Sequence, residues 1–427
     1  MGSILLYKWG SLLEPILENN MIKAGEKCVC LDYRSVNYRV DAAFSMKLME
    51  KIHENQVKAV FSYDYFPVIS EVCEIVKIPY IAWLYDCPLY TTYSDMIRKD
   101  YTYLFAFDAV DAQQIAERGG ANVYHFPLGV DADLFENKGK IQKAKSRRNY
   151  DYEVSFVGNF YKGSKNRLLG AKFTDYTKGF AEGLLLAQSK ILGSDFLLQS
   201  LSSEVVTEIS SVCSLQTGEL FPVSKRELVA DALRMELSRR ERIEVVKKAL
   251  EVSDIYLFTG EELPEELAAY VHDRSAKVPE GKISGEKTHE KDSYEEGSHG
   301  KDAHKIYLCG SVSYTEEMPG VFGRSKINLN MTARGIQSGI PQRVLDVLGS
   351  GGFLITNYQP EIAEYFRPGV DLVMYEDISQ IPELISYYLN HDEEREEIAE
   401  NGLRAVRESF LLQNRLKSIF EIVFGNE

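Results

Sequence analysis

Short, almost uninterrupted apolar runs recur along this chain, each followed by a stretch of helical character, and that rhythm constrains the fold more than any other feature. Ile4–Tyr7, Lys27–Leu31, Ala59–Ser62 and Tyr80–Leu84 alternate with helical stretches that end at Ala24 and lie near 44–55 and 67–77. Strands without polar alternation have both faces covered, the condition of a parallel sheet sandwiched between helices. Leu104–Phe107 and Ala121–His125 read as later strands of the same sheet. This first α/β domain, 1–150, closes just after the basic, polar stretch Lys138–Arg148.

The pattern then begins again. Tyr152–Val157 reads as a strand running into Gly158. Residues 163–252 read as a helical insertion, with no proline between Lys162 and Phe221. Ser224 and Glu227 are spaced as a capping box, in which each side chain serves the other's unpaired amide, ahead of a long amphipathic helix. Ile255–Phe258 resumes the sheet. Residues 272–304 are dominated by Lys, Glu, Asp, Gly, Ser and His, bury too little to fold, and read as a mobile charged loop. Lys305–Cys309, Ser325–Met331, Phe353–Thr356 and Leu372–Tyr375 are the remaining strands, with helices at 341–350 and 360–366. A closing helix within 403–427 is placed to return to the first domain. The expected fold class is α/β: two Rossmann-like, doubly wound domains, 1–150 and 151–427, facing across a cleft.

Charge and composition exclude several functions. The 427 residues carry 49 Lys+Arg against 64 Asp+Glu, a net charge of 49 − 64 = −15, which opposes non-specific binding to nucleic acid or anionic membrane. No apolar run approaches the ~18 residues of a membrane span. The six cysteines (Cys28, Cys30, Cys73, Cys87, Cys213 and Cys309) include no C-x-x-C pair, so reduced thiols and a cytoplasmic location are expected. Gly281-Lys282-Ile283-Ser284-Gly285-Glu286-Lys287-Thr288 imitates a phosphate loop, but Glu286 interrupts it and neither a strand nor a helix flanks it. His272, His289, His299 and His304 are spaced by 17, 10 and 5, which matches no metal site, and no metal is expected. Gly349-Ser350-Gly351-Gly352 follows a helix and precedes a strand, the reverse of a dinucleotide fingerprint.

One stretch carries chemistry. Ser325–Met331 and Gly339–Thr356 spell a strand, a loop, a helix bearing Arg343 and Asp346, and a Gly-rich turn into the next strand. Residues i and i+3 share a helix face. A guanidinium forks onto phosphate oxygens while a carboxylate accepts from vicinal hydroxyls, so the pair suits a ligand with both phosphate and ribose. The plainer alternative is a surface ion pair.

From Asn328 to about Leu416 the sequence resembles the C-terminal domain of group 1 glycosyltransferases, in the branch typified by the spore maturation protein CgeB. The likeness continues through Tyr358-Gln359-Pro360-Glu361, Phe366-Arg367-Pro368-Gly369, Tyr387-Tyr388-Leu389 and Glu394–Gly402. Phe61–Pro67, Trp83–Pro88 and Phe126–Asp131 resemble the N-terminal domain found with it. The resemblance implies a GT-B fold whose second domain binds a nucleotide-sugar donor, with UDP as its nucleotide, and whose first domain binds an acceptor of unknown identity. It implies neither an obligatory metal nor a cofactor beyond the co-substrate. Asp346 falls on the second acidic residue of an E-x7-E motif, which binds the ribose, whereas Ser338 stands where the first Glu is usual. Arg343 fits the arginine typical of the branch. Gly158 and Lys162 fall in the turn at the diphosphate, with Arg167 just beyond, and Asn330 ends a strand of the donor domain.

Sugar transfer needs cations at the leaving diphosphate, here Arg343, Lys162 or Arg167, and a base near the acceptor hydroxyl. Asp86 is the expected base, since it ends the strand Tyr80–Leu84 and Pro88 turns the chain toward the cleft. His125 and Asp64 are alternatives, and Asp86 as a simple helix cap competes with all three. Two rival functions remain: a non-catalytic carbohydrate- or protein-binding module on the same scaffold, and a sugar-nucleotide epimerase.

Overall fold

The computed structural model of the protein describes residues 2–11, 13–34, 37–139, 150–163, 166–216, 221–271 and 304–425. The expectation of a mobile loop at 272–304 falls on residues outside these, apart from His304. In the first domain, strands Ser3–Lys8 (β1), Cys28–Asp32 (β2), Val57–Tyr63 (β3), Tyr80–Leu84 (β4), Thr102–Ala106 (β5) and Asn122–His125 (β6) form one parallel sheet, ordered β2-β1-β3-β4-β5-β6. Helices Glu14–Lys23 (α1), Ala42–Glu54 (α2), Pro67–Val76 (α3), Ala109–Glu117 (α4) and Ala132–Gly139 (α5) connect them and lead out. β4 is buried along its whole length, as its unbroken apolar sequence requires. α3 starts cleanly because Pro67 sits in its first turn, where no amide partner is missed.

The second domain is a second parallel sheet, Tyr152–Val157 (β7), Ile255–Phe258 (β8), Ile306–Leu308 (β9), Ser325–Asn330 (β10), Leu354–Asn357 (β11) and Val373–Tyr375 (β12), ordered β12-β11-β10-β7-β8-β9. Between β7 and β8 come Asp175–Ser189 (α6), Leu197–Ser200 (α7), Ser203–Val212 (α8) and Lys225–Ala249 (α9). The C-terminal part of α9 packs on the sheet, whereas α6 to α8 gather around Leu197, Val205 and Ile209 against Leu233 of α9, and residues 166–174 are not helical. The capping box forms in both directions: Glu227 N–H donates to Ser224 Oγ at 3.2 Å and Ser224 N–H to Glu227 Oε2 at 2.8 Å. Glu265–Ala268 (α10), Met318–Arg324 (α11), Gln342–Gly349 (α12), Pro360–Tyr365 (α13), Ile381–Asn390 (α14), Asp392–Ser409 (α15) and Leu412–Phe424 (α16) complete the chain.

The two sheets share a core. Tyr63, Trp83 and Phe107 of the first pack in one buried cluster with Tyr314, Met318, Val344 and Leu348 of the second. Burying each such side chain stabilises the joint by roughly 1.5–3 kcal/mol. α16 crosses back onto α1, with Phe420 edge-on to Phe61 at 6.4 Å, and Val130 exchanges backbone bonds with Phe410 and Leu412 at 2.9 and 3.0 Å. No helix among the described residues is long and apolar enough to cross a membrane.

Candidate active site

In an open parallel sheet a ligand crevice forms at the strands' C-terminal ends, where strand order reverses. The reversals lie between β1 and β3 in the first sheet and between β7 and β10 in the second. Asp64 follows β3 with φ +57°, a left-handed conformation that Asp tolerates better than most residues. Its buried carboxylate accepts the amides of Tyr85 and Asp86 at 2.8 and 3.0 Å, fixing the turn after β4. Burial, and then the charge of Asp86, push the Asp64 carboxyl up to about 7. Desolvation also raises the carboxyl of Asp86.

Across the joint stands the start of α12. Asp346 is 1% exposed, and its Oδ1 accepts from Tyr314 Oη at 2.8 Å and Gln342 Nε2 at 2.9 Å. Burial raises its carboxyl to about 6 against the pull of Arg343. Arg343 lies 3.5 Å from Asp346, bonds Met318 Sδ, and rests over Phe322 at 5.3 Å while keeping part of its surface in solvent. Burial, then the Asp346 charge, raise the phenol of Tyr85, with Arg343 opposing, so the turn carrying Asp86 and the helix carrying Arg343 meet electrostatically. The i,i+3 pair is thus unequal: Arg343 faces outward and Asp346 anchors it from the core.

The loop 333–341 is what brings the domains together. Asp108, at the end of the first sheet's β5, accepts the successive amides of Gln337, Ser338 and Gly339 on one oxygen at 2.7, 2.8 and 3.0 Å. A side chain at Gly339 would fall 2.9 Å from Asp108 Cα, and one at Gly335 would fall 2.9 Å from the Cys87 carbonyl, so both positions require glycine for space. Ser338 Oγ lies 2.7 Å from Glu361, whose buried carboxylate also accepts from Ala109 N–H at 2.8 Å and meets His125 Nε2 at 2.8 Å. His125 is therefore the first domain's half of an ion pair across the joint; Glu361, by bonding it, raises its pKa.

The other expected donor residues are dispersed. Gly158 donates to the Phe258 carbonyl at 3.0 Å, and a Cβ there would strike the Phe156 ring at 2.7 Å. Lys162 pairs with Glu262 at 3.2 Å, and Arg167 turns away to the Ser214 carbonyl at 3.1 Å. Asn330 ties β10 to β11 through Thr356 Oγ1 at 2.9 Å. Beside these strand ends, Gly193–Asp195 roofs a cavity of about 10 Å³ lined by Thr332, Arg334, Gln337, Asn357 and Gln359. Sequence reasoning missed Arg242 of α9, which sits where β7 and β10 part and bonds the carbonyls of Asn159 and Met331. The signal was its spacing: Arg242 stands four and seven residues before buried Val246 and Ala249, a cation on an apolar stripe. Among the described residues no cluster of three or more His, Cys, Asp or Glu side chains is arranged to hold a metal ion.

Residues 266–421, a little over a third of the chain, match the model of a family described as glycosyl transferase-like. Among solved structures, Anabaena HepE in complex with UDP-glucose aligns over 99% of both chains at 10% identity with a TM-score of 0.54. A glycosyltransferase from Rickettsia africae aligns over 100% of this chain and 99% of its own at 12% identity, TM-score 0.48. Sucrose-phosphate synthase from Thermosynechococcus elongatus aligns over 99% and 98% at 8% identity, TM-score 0.49. No curated protein sequence matches the chain. The fold is GT-B, and its second domain contains a glycosyltransferase-like segment.

Proposed function

We propose that this protein transfers a sugar from a nucleoside-diphosphate donor, a UDP-sugar foremost, to an acceptor hydroxyl without a metal ion. The observation that carries this is a partly exposed Arg343 on α12, within the family-matched segment, whose charge reaches Tyr85, the neighbour in sequence of the solvent-reaching Asp86 past the end of β4. HepE, with the same fold, is described with UDP-glucose bound, which supports UDP as the first nucleotide to test. We assign residues 151–427 to the donor and 1–150 to the acceptor, within the CgeB-like branch. We place this work in the cytoplasm, the compartment in which cysteines without C-x-x-C pairing or a disulfide framework are usual.

In this mechanism Arg343 neutralises charge that develops on the leaving diphosphate, and Asp346 with Gln342 and Tyr314 holds it in place. Asp86 takes the proton of the acceptor hydroxyl. Asp64, by accepting the amides of Tyr85 and Asp86, holds the turn that presents this base. Ser338, bonded to Glu361 where related enzymes carry a glutamate, favours a second reading: a binding module that holds a sugar nucleotide without turning it over. Calorimetric titration with UDP-, GDP-, ADP- and dTDP-sugars tests the donor assignment. A binder is expected, weakened at least about tenfold by Arg343→Ala, the loss anticipated for a charged hydrogen bond. Failure of all four donors would remove it.

A further inference from the structure

Arg234, Arg242 and Arg395 are the buried arginines among the described residues. Arg234 meets Asp195 and Asp231 at 2.8 and 2.6 Å, and Arg395 meets Asp392 at 2.7 Å. Arg242 meets no carboxylate among the described residues. The carboxylate on the neighbouring turn, Glu261, is engaged with the amides of Phe160 and Lys162 at 2.9 and 3.4 Å. A buried charge without a counter-charge is among the costliest arrangements a fold can keep, so its place in the structure matters.

That place is the strand-order reversal of the second sheet. Nη1 and Nη2 of Arg242 hold the carbonyls of Asn159 and Met331, two residues past the end of β7 and one past the end of β10, while Nε has no hydrogen-bond partner among the described residues. The guanidinium lies 4.4 Å from the Tyr161 ring and 5.6 Å from that of Phe156. Tyr161 takes φ +53°, a strained conformation for a bulky residue and one that clusters at ligand sites. Lys162 and Arg167, the cations expected at this turn, are committed to Glu262 and to Ser214.

We propose that Arg242 is the cation that binds the donor's diphosphate at the crevice between β7 and β10, an assignment that rests on the nucleotide-sugar reading above. The two carbonyls and the two rings fix the guanidinium's plane, and an incoming diphosphate supplies the counter-charge that the protein withholds. Arg343 then serves the same leaving group from the α12 side.

The test titrates wild type, Arg242→Lys and Arg242→Gln with UDP, uridine and inorganic pyrophosphate, alongside each protein's melting temperature. Arg242→Gln is expected to weaken UDP and pyrophosphate at least about tenfold while uridine changes less than about twofold. Arg242→Lys, which keeps the charge but loses the fork, is expected to fall between. Equal losses for UDP and uridine with a lower melting temperature would make Arg242 a structural cap and overturn the proposal, as would failure of both variants to fold. UDP binding equally to all three proteins would overturn it too, leaving the donor reading intact. Pyrophosphate binding that depends on Arg242, with UDP and uridine both refused, would uphold the cation and remove the nucleotide.

Discussion

Glu361→Gln probes the joint on which the geometry of both half-sites depends. The carboxylate, 4% exposed, accepts from Ala109 N–H and lies within bonding distance of Ser338 Oγ and His125 Nε2. Glutamine keeps an oxygen for Ala109 and Ser338, so the substitution isolates the charge that faces His125. A hydrogen bond to a charged group is worth about 1.5–3 kcal/mol, and the 29% exposure of the His125 side chain places this one toward the lower end. The pKa of His125 is raised in the folded state, so its contribution is fully present below the unfolded value near 6.5 and lost as pH rises through the folded one. The variant is therefore expected to be about 2 kcal/mol less stable than wild type at pH 5.5, with the gap closing as pH rises past the unfolded value and through the raised folded one. Urea unfolding followed by tryptophan fluorescence reads it directly, because Trp9 and Trp83 both lie in the first domain and Trp83 stacks on Tyr63 in the shared core. A gap independent of pH, or none at pH 5.5, would refute the ion pair.

Three further expectations follow from the same geometry. Asp86→Asn should cut turnover about 10²-fold while donor affinity and melting temperature stay near wild type; near-normal turnover would remove Asp86 as the base. Asp64 holds its proton more tightly folded than unfolded, so wild type loses stability as pH rises from about 4 to 7, which Asn, unable to ionise, avoids. Asp64→Asn should accordingly gain on the order of 3 kcal/mol relative to wild type between pH 4 and pH 8, with Asn still tolerating the positive φ; a gap that widens the other way would contradict the burial argument. Gly402→Ala in α15 would set a Cβ 2.4 Å from the Asp371 carbonyl and 2.7 Å from Leu348, so a loss of about 2 kcal/mol in denaturation is expected, and a neutral result would mean that α15 packs differently.

Much of the scaffold was legible because its signals are local. β4, β7 and β8 begin and end at the residues their apolar runs predict, and α9 starts at the capping box read from Ser224 and Glu227. At α12 the local reading placed Arg343 and Asp346 on one face, one turn apart, but could not give their burial. Their difference comes from Tyr314, 32 residues away from Asp346, and from the first domain pressing on that face. Asp108 on the 337–339 amides and His125 on Glu361 join residues more than 200 positions apart, which no local pattern announces. His125, a histidine at a strand end, therefore shows its bond to Glu361 only in the structure. Arg242 sits beside Arg239, Arg240 and Glu241, and a charged tetrad hides a buried cation unless its position on the helix stripe is counted. The insertion read as helical because no proline stands between Lys162 and Phe221, but Gly193 and Pro222 fall between the helices, which then pack as α6 to α8 against α9.

The most direct test of sugar transfer is the release of nucleoside diphosphate from a UDP-sugar panel by wild-type protein without acceptor, measured in the presence of a chelator. Slow release of UDP is expected from at least one donor, with the rate falling about 10²-fold or more in Arg343→Ala, as for other groups that stabilise a leaving charge. Tight binding of a UDP-sugar with no release would favour the binding module. Release that requires a divalent ion would contradict the metal-free mechanism, and neither binding nor release with any donor would contradict the transferase itself.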